Sequence, residues 1–240
     1  MESNIVLSTV VLCYRSNESI IKFANEVKSC VSSITPDYEI ILVGNYFEGS
    51  NDITKELVEG IAASDSHFIT VCKPKKGMMG WDMKSGLEIA KGKYICVIDG
   101  DGQFPVGSLK DCYDLISKER LDLVKSYREK RGDGFYRNFI SIIFNFSFNL
   151  LFPGLNSRDI NSKPKMFTKE AYDKLNLASD DWFIDAEIMI RARKLKLKIK
   201  EFPVVFLKLE NRQSFVKFGA LVEFVSNLFK FKIKEIKNID

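Results

Sequence analysis

Histidine is nearly absent from this 240-residue chain, which holds only His67. No triad partner and no metal-ligand partner accompanies this imidazole in the sequence, so acid–base chemistry falls to carboxylates or is not needed. In the apolar-leaning run 67–72, His67 reads as a strand residue. The five cysteines (Cys13, Cys30, Cys72, Cys96, Cys112) are odd in number, scattered and without a CxxC pair. That argues against a zinc ribbon or disulfide framework and for reduced structural thiols. No Pro/Gly/Ser-rich linker, repeat or low-complexity tract divides the sequence, and its length suffices for a sizeable core. A basic n-region is also missing: Glu2 opens a short apolar run, so no signal peptide is expected and a cytoplasmic chain is. The net charge of +4 is too small to imply nucleic acid. Lysine and arginine nevertheless gather at 125–137, 191–200 and 230–237.

What is present is a regular alternation of two hydrophobic periods. Strand patterns cover Leu7 to Tyr14, Tyr38 to Val43, His67 to Cys72 and Tyr94 to Ile98. Helical patterns cover Glu18 to Ile34, Asp52 to Ala63 and Trp81 to Ala90 between them. Such a series, with short connections, predicts an α/β fold with a mostly parallel, doubly wound sheet flanked by helices. Beyond Pro105, residues 108–119 read as a helix and 121–126 as another strand.

The fourth strand runs into Val97-Ile98-Asp99-Gly100-Asp101-Gly102-Gln103-Phe104-Pro105. An unbroken apolar run marks a strand buried on both faces, and the glycines and proline end it in a turn. Asp99 and Asp101 therefore fall at the carboxyl end of a central strand, where open α/β sheets bind ligands. Two carboxylates one residue apart can share a hard divalent cation, Mg²⁺ or Mn²⁺, and leave its other positions to phosphate oxygens. Gln103 is placed to add a carbonyl oxygen or orient a water.

Three further stretches stand out. The segment 125–137 carries Arg128, Arg131 and Arg137, whose forks suit phosphate oxygens, although a solvated basic segment has the same composition. Next comes Asn138 to Ser157, uncharged throughout and long enough to suggest a membrane span. A polar stripe of Asn138, Ser141, Asn145 and Asn149, and the Pro153-Gly154 stop, favour instead an interfacial helix or a core helix. The third stretch pairs Asp159 to Phe167, with Lys163 and Lys165, with Asp180 to Glu187. Asp185 and Glu187 lie two apart, so on a helix only one faces a given site. Either could be a general base or brace a helix start. From Ser214 to Lys237, phenylalanines interleave with Lys217, Lys230, Lys232, Lys234 and Lys237, as in a basic amphipathic helix on an anionic membrane surface.

Taken together, these motifs resemble the family-two glycosyltransferases of GT-A fold over about Val6 to Phe218, in the branch of dolichyl-phosphate mannose synthase and bacterial polyprenyl-phosphate sugar transferases. The resemblance rests on Asp99 to Pro105 as the D-x-D-x-Q-x-P metal stretch and on Gly80 to Leu87 as the glycine-punctuated helix start. It rests equally on Asp159 to Phe167, on Trp182 to Glu187, and on the Arg212 to Lys217 loop. It implies a Rossmann-like GT-A domain over 1–212, including an apolar helix at 134–155, followed by a basic amphipathic helix at 213–240. By resemblance the nucleotide-sugar would meet Tyr14, Glu18, Asn45, Gly80, Lys84 and Asp99. The metal would meet Asp99, Asp101 and Gln103, and catalysis would involve Asp185, Glu187 and Asp101. Arg128, Arg131, Arg137, Lys163, Lys165 and Arg212 would bind the acceptor phosphate.

The chain also departs from the family. An Asp-Asp-Gly-Ser type turn usually follows the second strand, and its first acid contacts the nucleobase. Here Val43-Gly44-Asn45-Tyr46 has no aspartate, leaving Asn45 or Asp52 to take its place. In the first loop, Tyr14-Arg15-Ser16-Asn17-Glu18 stands where Tyr-Asn-Glu is common. The expected activity is metal-dependent, inverting transfer of a sugar from a nucleotide-sugar to a polyprenyl phosphate, by a protein peripheral to the cytosolic membrane face. The alternatives are transfer to a sugar hydroxyl of a glycan acceptor, which would make Asp185 or Glu187 an essential base, and a non-catalytic domain of the same fold. A sugar nucleotidyltransferase is disfavoured because Leu12 to Glu18 lacks a glycine-rich phosphate loop. Oligomeric state is left open.

Overall fold

The computed structural model describes residues 4–131, 145–207 and 218–237. The first half follows the predicted alternation: β1 (Leu7–Leu12), α1 (Ser19–Ser32), β2 (Tyr38–Val43), α2 (Thr54–Ser64), β3 (Phe68–Val71), α3 (Met79–Leu87) and β4 (Tyr94–Asp99). There follow α4 (Ser108–Glu119), β5 (Leu123–Arg131), a helical stretch α5 (145–151), β6 (Lys165–Thr168), α6 (Lys169–Leu175), α7 (Ile184–Lys194), β7 (Ile199–Phe206) and α8 (Phe218–Ile236).

All seven strands form one sheet in the order β3-β2-β1-β4-β6-β5-β7. β1, β2, β3 and β4 pair in parallel, whereas β6 runs antiparallel to both β4 and β5. Reversal at β6 brings the start of that strand, Lys165, beside Val97 near the carboxyl end of β4. β5 then pairs in parallel with β7, with an irregularity between Arg128 and Lys130. Residues 125–131 of the basic segment are therefore strand, and Lys125 is fully buried. Residues 132–144, with Arg137 and the first part of the apolar run, lie outside the described residues, as does Arg212.

Alternate strand residues serve opposite faces. Val10, Ile41, Val43, Ile95 and Val97 pack against Met83 and Leu87 of α3 and Ile184 and Ile188 of α7. Leu7, Val11, Ile40, Leu42 and Ile98 pack against Phe23 and Val27 of α1 and Leu109 and Ile116 of α4. Each such side chain contributes about 1.5–3 kcal/mol when it leaves water. The thiols are free, with Cys13, Cys96 and Cys112 buried. His67 lies in the turn just before β3 rather than in the strand; it stacks on Tyr38 at 4.6 Å and meets Asp65 through Nδ1, 3.0 Å away.

The described part of the apolar run is a core helix with one outward edge. Phe148 and Phe152 are buried, while Phe146 and Leu150 are exposed one turn apart. Its asparagines pin the following chain: Asn149 exchanges two hydrogen bonds with Ser157, and Asn145 accepts one from the Ile160 amide. α8 docks nearby through buried Leu228, through Phe231 against Phe183 and through Asn227, which donates to Asp181. Among the described residues no helix is long and apolar enough to cross a membrane.

Candidate active site

Leu12 and Asp99 are register partners at the carboxyl ends of β1 and β4. Beyond them opens a cleft whose lining includes Tyr14, Lys75, Asp82, Asp99, Asp101 and Trp182. The acidic turn is held by its backbone. Gly100 N–H donates to the Leu12 carbonyl at 2.9 Å, and the Gln103 amide donates to Asp101 Oδ1 at 2.9 Å. Gly102 takes φ +73°, which a side chain would disfavour. Gln103 is tied to the end of β7, its carbonyl accepting from the Leu207 amide at 2.9 Å. Two carboxylates facing one cleft are hard oxygen donors of the kind Mg²⁺ and Mn²⁺ take. Among the described residues no third His, Cys, Asp or Glu joins them, so a cation held there would complete its shell with water or ligand oxygens.

Behind Asp99 lies a buried charge cluster. Lys163 Nζ sits 3.5 Å from Asp99 and 3.0 Å from Asp185, and Lys165 Nζ is 2.5 Å from the other Asp185 oxygen. Lys165 completes its donors on the Ile160 and Ser162 carbonyls at 2.8 and 2.9 Å. Burial raises the cost of the Asp185 charge, but the two lysines outweigh it and hold the carboxyl below the ordinary range. For Lys163 burial is likewise opposed, by Asp185 and then Asp99, and its ammonium is held above the usual value. For Lys165 burial wins, aided by neighbouring Lys163, and its value falls to about 7.

Next to this cluster, Arg128 grips Asp159 with two bonds of 2.6 and 2.9 Å. Lys125 donates to the Asp159 carbonyl and to Glu201, and Glu201 in turn holds Ser157 and the Arg158 amide. The structure thus gathers Arg128, Lys163 and Lys165 from the sequence list, each already facing carboxylates. The Arg131 side chain is outside the described set.

Asp185 and Glu187 part company as their spacing predicts. Glu187, fully buried, accepts from the Ala178 and Ser179 amides and from Arg191 at 2.7 Å. It thereby fixes the loop that carries Trp182 into the cleft. The same loop is clamped by the start of α3. Gly80 donates to the Asp181 carbonyl at 2.9 Å, and a Cβ on Gly80 would lie 2.8 Å from that oxygen. Lys84 bonds Asp180 at 2.8 Å and the Ala178 carbonyl at 3.0 Å. Gly80 and Lys84 therefore hold two halves of the cleft together.

At the first two loops, Glu18 is exposed at the start of α1. Asn45 is 1% exposed: its oxygen accepts from the Lys73 amide, and its nitrogen donates to Asp82 and Ser85. Asp52 accepts from the Arg15 and Thr54 amides. Lys75 and Asp82, a buried ion pair in the cleft wall, were not anticipated from sequence. The signal was present: Asp82 sits at helical spacing among Met79, Met83 and Gly86 on the buried face of α3.

Comparison with known proteins gives a consistent result. The model of glycosyl transferase family 2 matches residues 8–176. A dolichyl-phosphate beta-glucosyltransferase of Trichomonas vaginalis is 25% identical, over 96% of this chain and 74% of its own. One from Dictyostelium discoideum is also 25% identical, over 98% and 76%. Among solved structures, the glucosyl-3-phosphoglycerate synthase of Mycobacterium tuberculosis, in complex with Mn²⁺, UDP and phosphoglyceric acid, superimposes with a TM-score of 0.68. It shares 16% identity, over 98% of this chain and 79% of its own.

Proposed function

The chain belongs to glycosyl transferase family 2, and from that premise we propose that it moves a sugar from a nucleotide-sugar onto a polyprenyl phosphate. Dolichyl-phosphate enzymes that align along nearly the whole chain support a lipid-phosphate acceptor. The observation that carries this choice over a sugar hydroxyl is the sealing of both candidate bases. A hydroxyl needs a base in reach, but Asp185 is fully buried between two lysines and Glu187 is bound by two amides and Arg191. A phosphate monoester needs none, since its second pKa of about 6 leaves it largely dianionic at neutral pH.

In this reading a phosphate oxygen attacks the anomeric carbon as the bond to the nucleoside diphosphate breaks, and configuration inverts. Asp99 and Asp101 would hold Mg²⁺ or Mn²⁺, which supplies Lewis-acid neutralisation of the leaving diphosphate. Asp185 acts as a positioning residue: it keeps Lys163 charged and directed toward Asp99. Glu187, Gly80 and Lys84 set the height of Trp182 over the sugar. Arg128, anchored by Asp159, keeps its charge near Lys163 and the acceptor phosphate.

The protein works at an anionic membrane surface, on its cytosolic face. Val225, Phe229 and Ile233 form an exposed stripe along α8, with exposed Lys230 on the same helix and exposed Lys237 just past its end. The test offers UDP-, GDP- and dTDP-sugars with Mg²⁺ or Mn²⁺ and a short polyprenyl phosphate, and counts lipid-extractable sugar. Product from one donor is expected. Sugar appearing only on a saccharide acceptor overturns the reading.

A further inference from the structure

Resting on the reading that Asp99 and Asp101 hold a divalent cation, we infer that Lys163 is a built-in counter-cation for Asp99. It keeps that metal weakly bound until a nucleoside diphosphate is present, so that metal and nucleotide are taken up together. Lys163 comes from the segment before β6 and is 1% exposed. Its Nζ lies 3.5 Å from Asp99 Oδ1 and 3.0 Å from Asp185 Oδ2. A further contact is the Met79 sulfur at 3.3 Å, a weak acceptor that carries no charge.

Neither carboxylate can neutralise Lys163 by itself. The other oxygen of Asp185 takes Lys165, which is fully buried, so one carboxylate serves two ammonium groups. Lys163 therefore draws part of its compensation from Asp99, whose side chain is 27% exposed and lines the cleft. Arg128, the neighbouring guanidinium, spends its fork on Asp159. Asp99 thus stands with a buried ammonium behind it and the cleft in front.

A cation entering the cleft meets an acid that is already partly neutralised. Asp99, Asp101 and Asp185 carry three negative charges against two positive ones on Lys163 and Lys165. The single net negative charge left is a poor trap for a divalent ion. The Lys163 ammonium also repels that ion, with little water between them to screen the charge. A diphosphate reverses the balance, because its own negative charge attracts the ammonium and the metal alike. Mg²⁺ is commonly held by one or two carboxylates together with substrate phosphates. Here the buried lysine gives that habit a local cause.

The test titrates the full chain with Mn²⁺ and counts the free ion by electron paramagnetic resonance. No sugar or acceptor is present, and UDP, GDP, dTDP or no nucleotide is added. Without nucleotide, Lys163→Met is expected to bind Mn²⁺ at least about tenfold more tightly than the wild type, a modest share of the repulsion between neighbouring cations. Lys163→Arg keeps the charge and is expected to bind as weakly as the wild type. Loss of structure weakens a metal site, so tighter binding cannot come from damage. Lys163→Gln, neutral but able to donate, carries the comparison if Lys163→Met fails to fold. The wild type needs no variant: it should bind Mn²⁺ more tightly with one of the diphosphates than with none. Unchanged or weaker binding in a folded neutral variant overturns the inference and leaves the glycosyltransferase reading intact. So does wild-type binding that is as tight without nucleotide as with it. Mn²⁺ bound by the wild type under no condition overturns the metal reading as well.

Discussion

In the parallel half of the sheet, every residue of β1 and β2 is buried, and the charged side chain among them is Glu39. That carboxylate accepts from the Ser8 hydroxyl at 2.6 Å and the Lys91 amide at 2.7 Å, far from the cleft. The half built on β6, β5 and β7 is different. It buries Lys125, Lys163 and Lys165, and α7 beneath it buries Asp185 and Glu187. Apart from the Lys75–Asp82 pair in its cleft wall, the first half is held by close apolar packing, and the other by a network of ion pairs. Packing suits a wall that must fit a nucleotide of fixed shape. Buried charge suits a wall beside reacting phosphates, where a preorganised field costs no rearrangement during reaction.

The largest expected effect breaks the charged half. Asp185→Asn leaves buried Lys165 without its carboxylate and buried Lys163 with Asp99 alone at 3.5 Å, and a loss of about 3–5 kcal/mol is expected in urea unfolding. A loss below about 1 kcal/mol would mean that the lysines are held by their carbonyl partners alone, and the contrast between halves would fail. The pH dependence has a definite sign. Because the folded Asp185 value lies below the unfolded one, its contribution is present above the ordinary carboxylate range and disappears as pH falls through the folded value. Acid titration of stability should therefore be less steep in Asp185→Asn than in the wild type.

The second prediction addresses the packed half. A Cβ on Gly86 would strike Val10 and come within 2.7 Å of Val43. Gly86→Ala should cost about 1–3 kcal/mol by forcing α3 off the sheet, despite alanine's better helix propensity. Because Asp82 and Gly80 ride on the same helix, nucleotide affinity should fall with it. A neutral or stabilising outcome would show that α3 has room to move.

The third prediction is smaller and lies at the seam. Arg128→Lys replaces a two-bond grip on Asp159 by a point charge, and about 1.5 kcal/mol should be lost. Acceptor KM should rise with little change in donor KM. An equal rise in both would place Arg128 in a general structural role.

The two halves also differ in how much of them was legible in the sequence. The alternation of periods located β1 to β4 and α1 to α4 to within a few residues, since each strand there is a mainly apolar run and the helices between them follow a helical period. Asp99 and Asp101 followed directly from the end of one such run. Beyond 120 the same rules lose force. Buried lysines in β5 and β6 break the apolar pattern because ion pairs, not burial of hydrocarbon, satisfy them. The antiparallel turn of β6 rests on long-range pairing with β4, which no local pattern records. Lys75 and Asp82 escaped notice for a related reason: each is explained only by the other, across seven residues from the loop after β3 into α3.

The smallest expected effect on stability separates what holds the fold from what meets the membrane. Leu228 and Phe231 of α8 face the core and Phe183, whereas Phe229 lies on the exposed stripe and is 55% exposed. Phe229→Glu should therefore shift stability by no more than about 0.5 kcal/mol, as expected of a surface substitution away from the core contacts. Binding to vesicles with anionic lipid should weaken by about fivefold, because an apolar contact is lost and a like charge is placed against the surface. Raising the salt concentration should weaken wild-type binding in the same assay through screening of Lys230 and Lys237. If Phe229→Glu binds vesicles as the wild type does, the stripe on α8 is not the membrane face, and the outward edge of α5 at Phe146 and Leu150 becomes the surface to alter next.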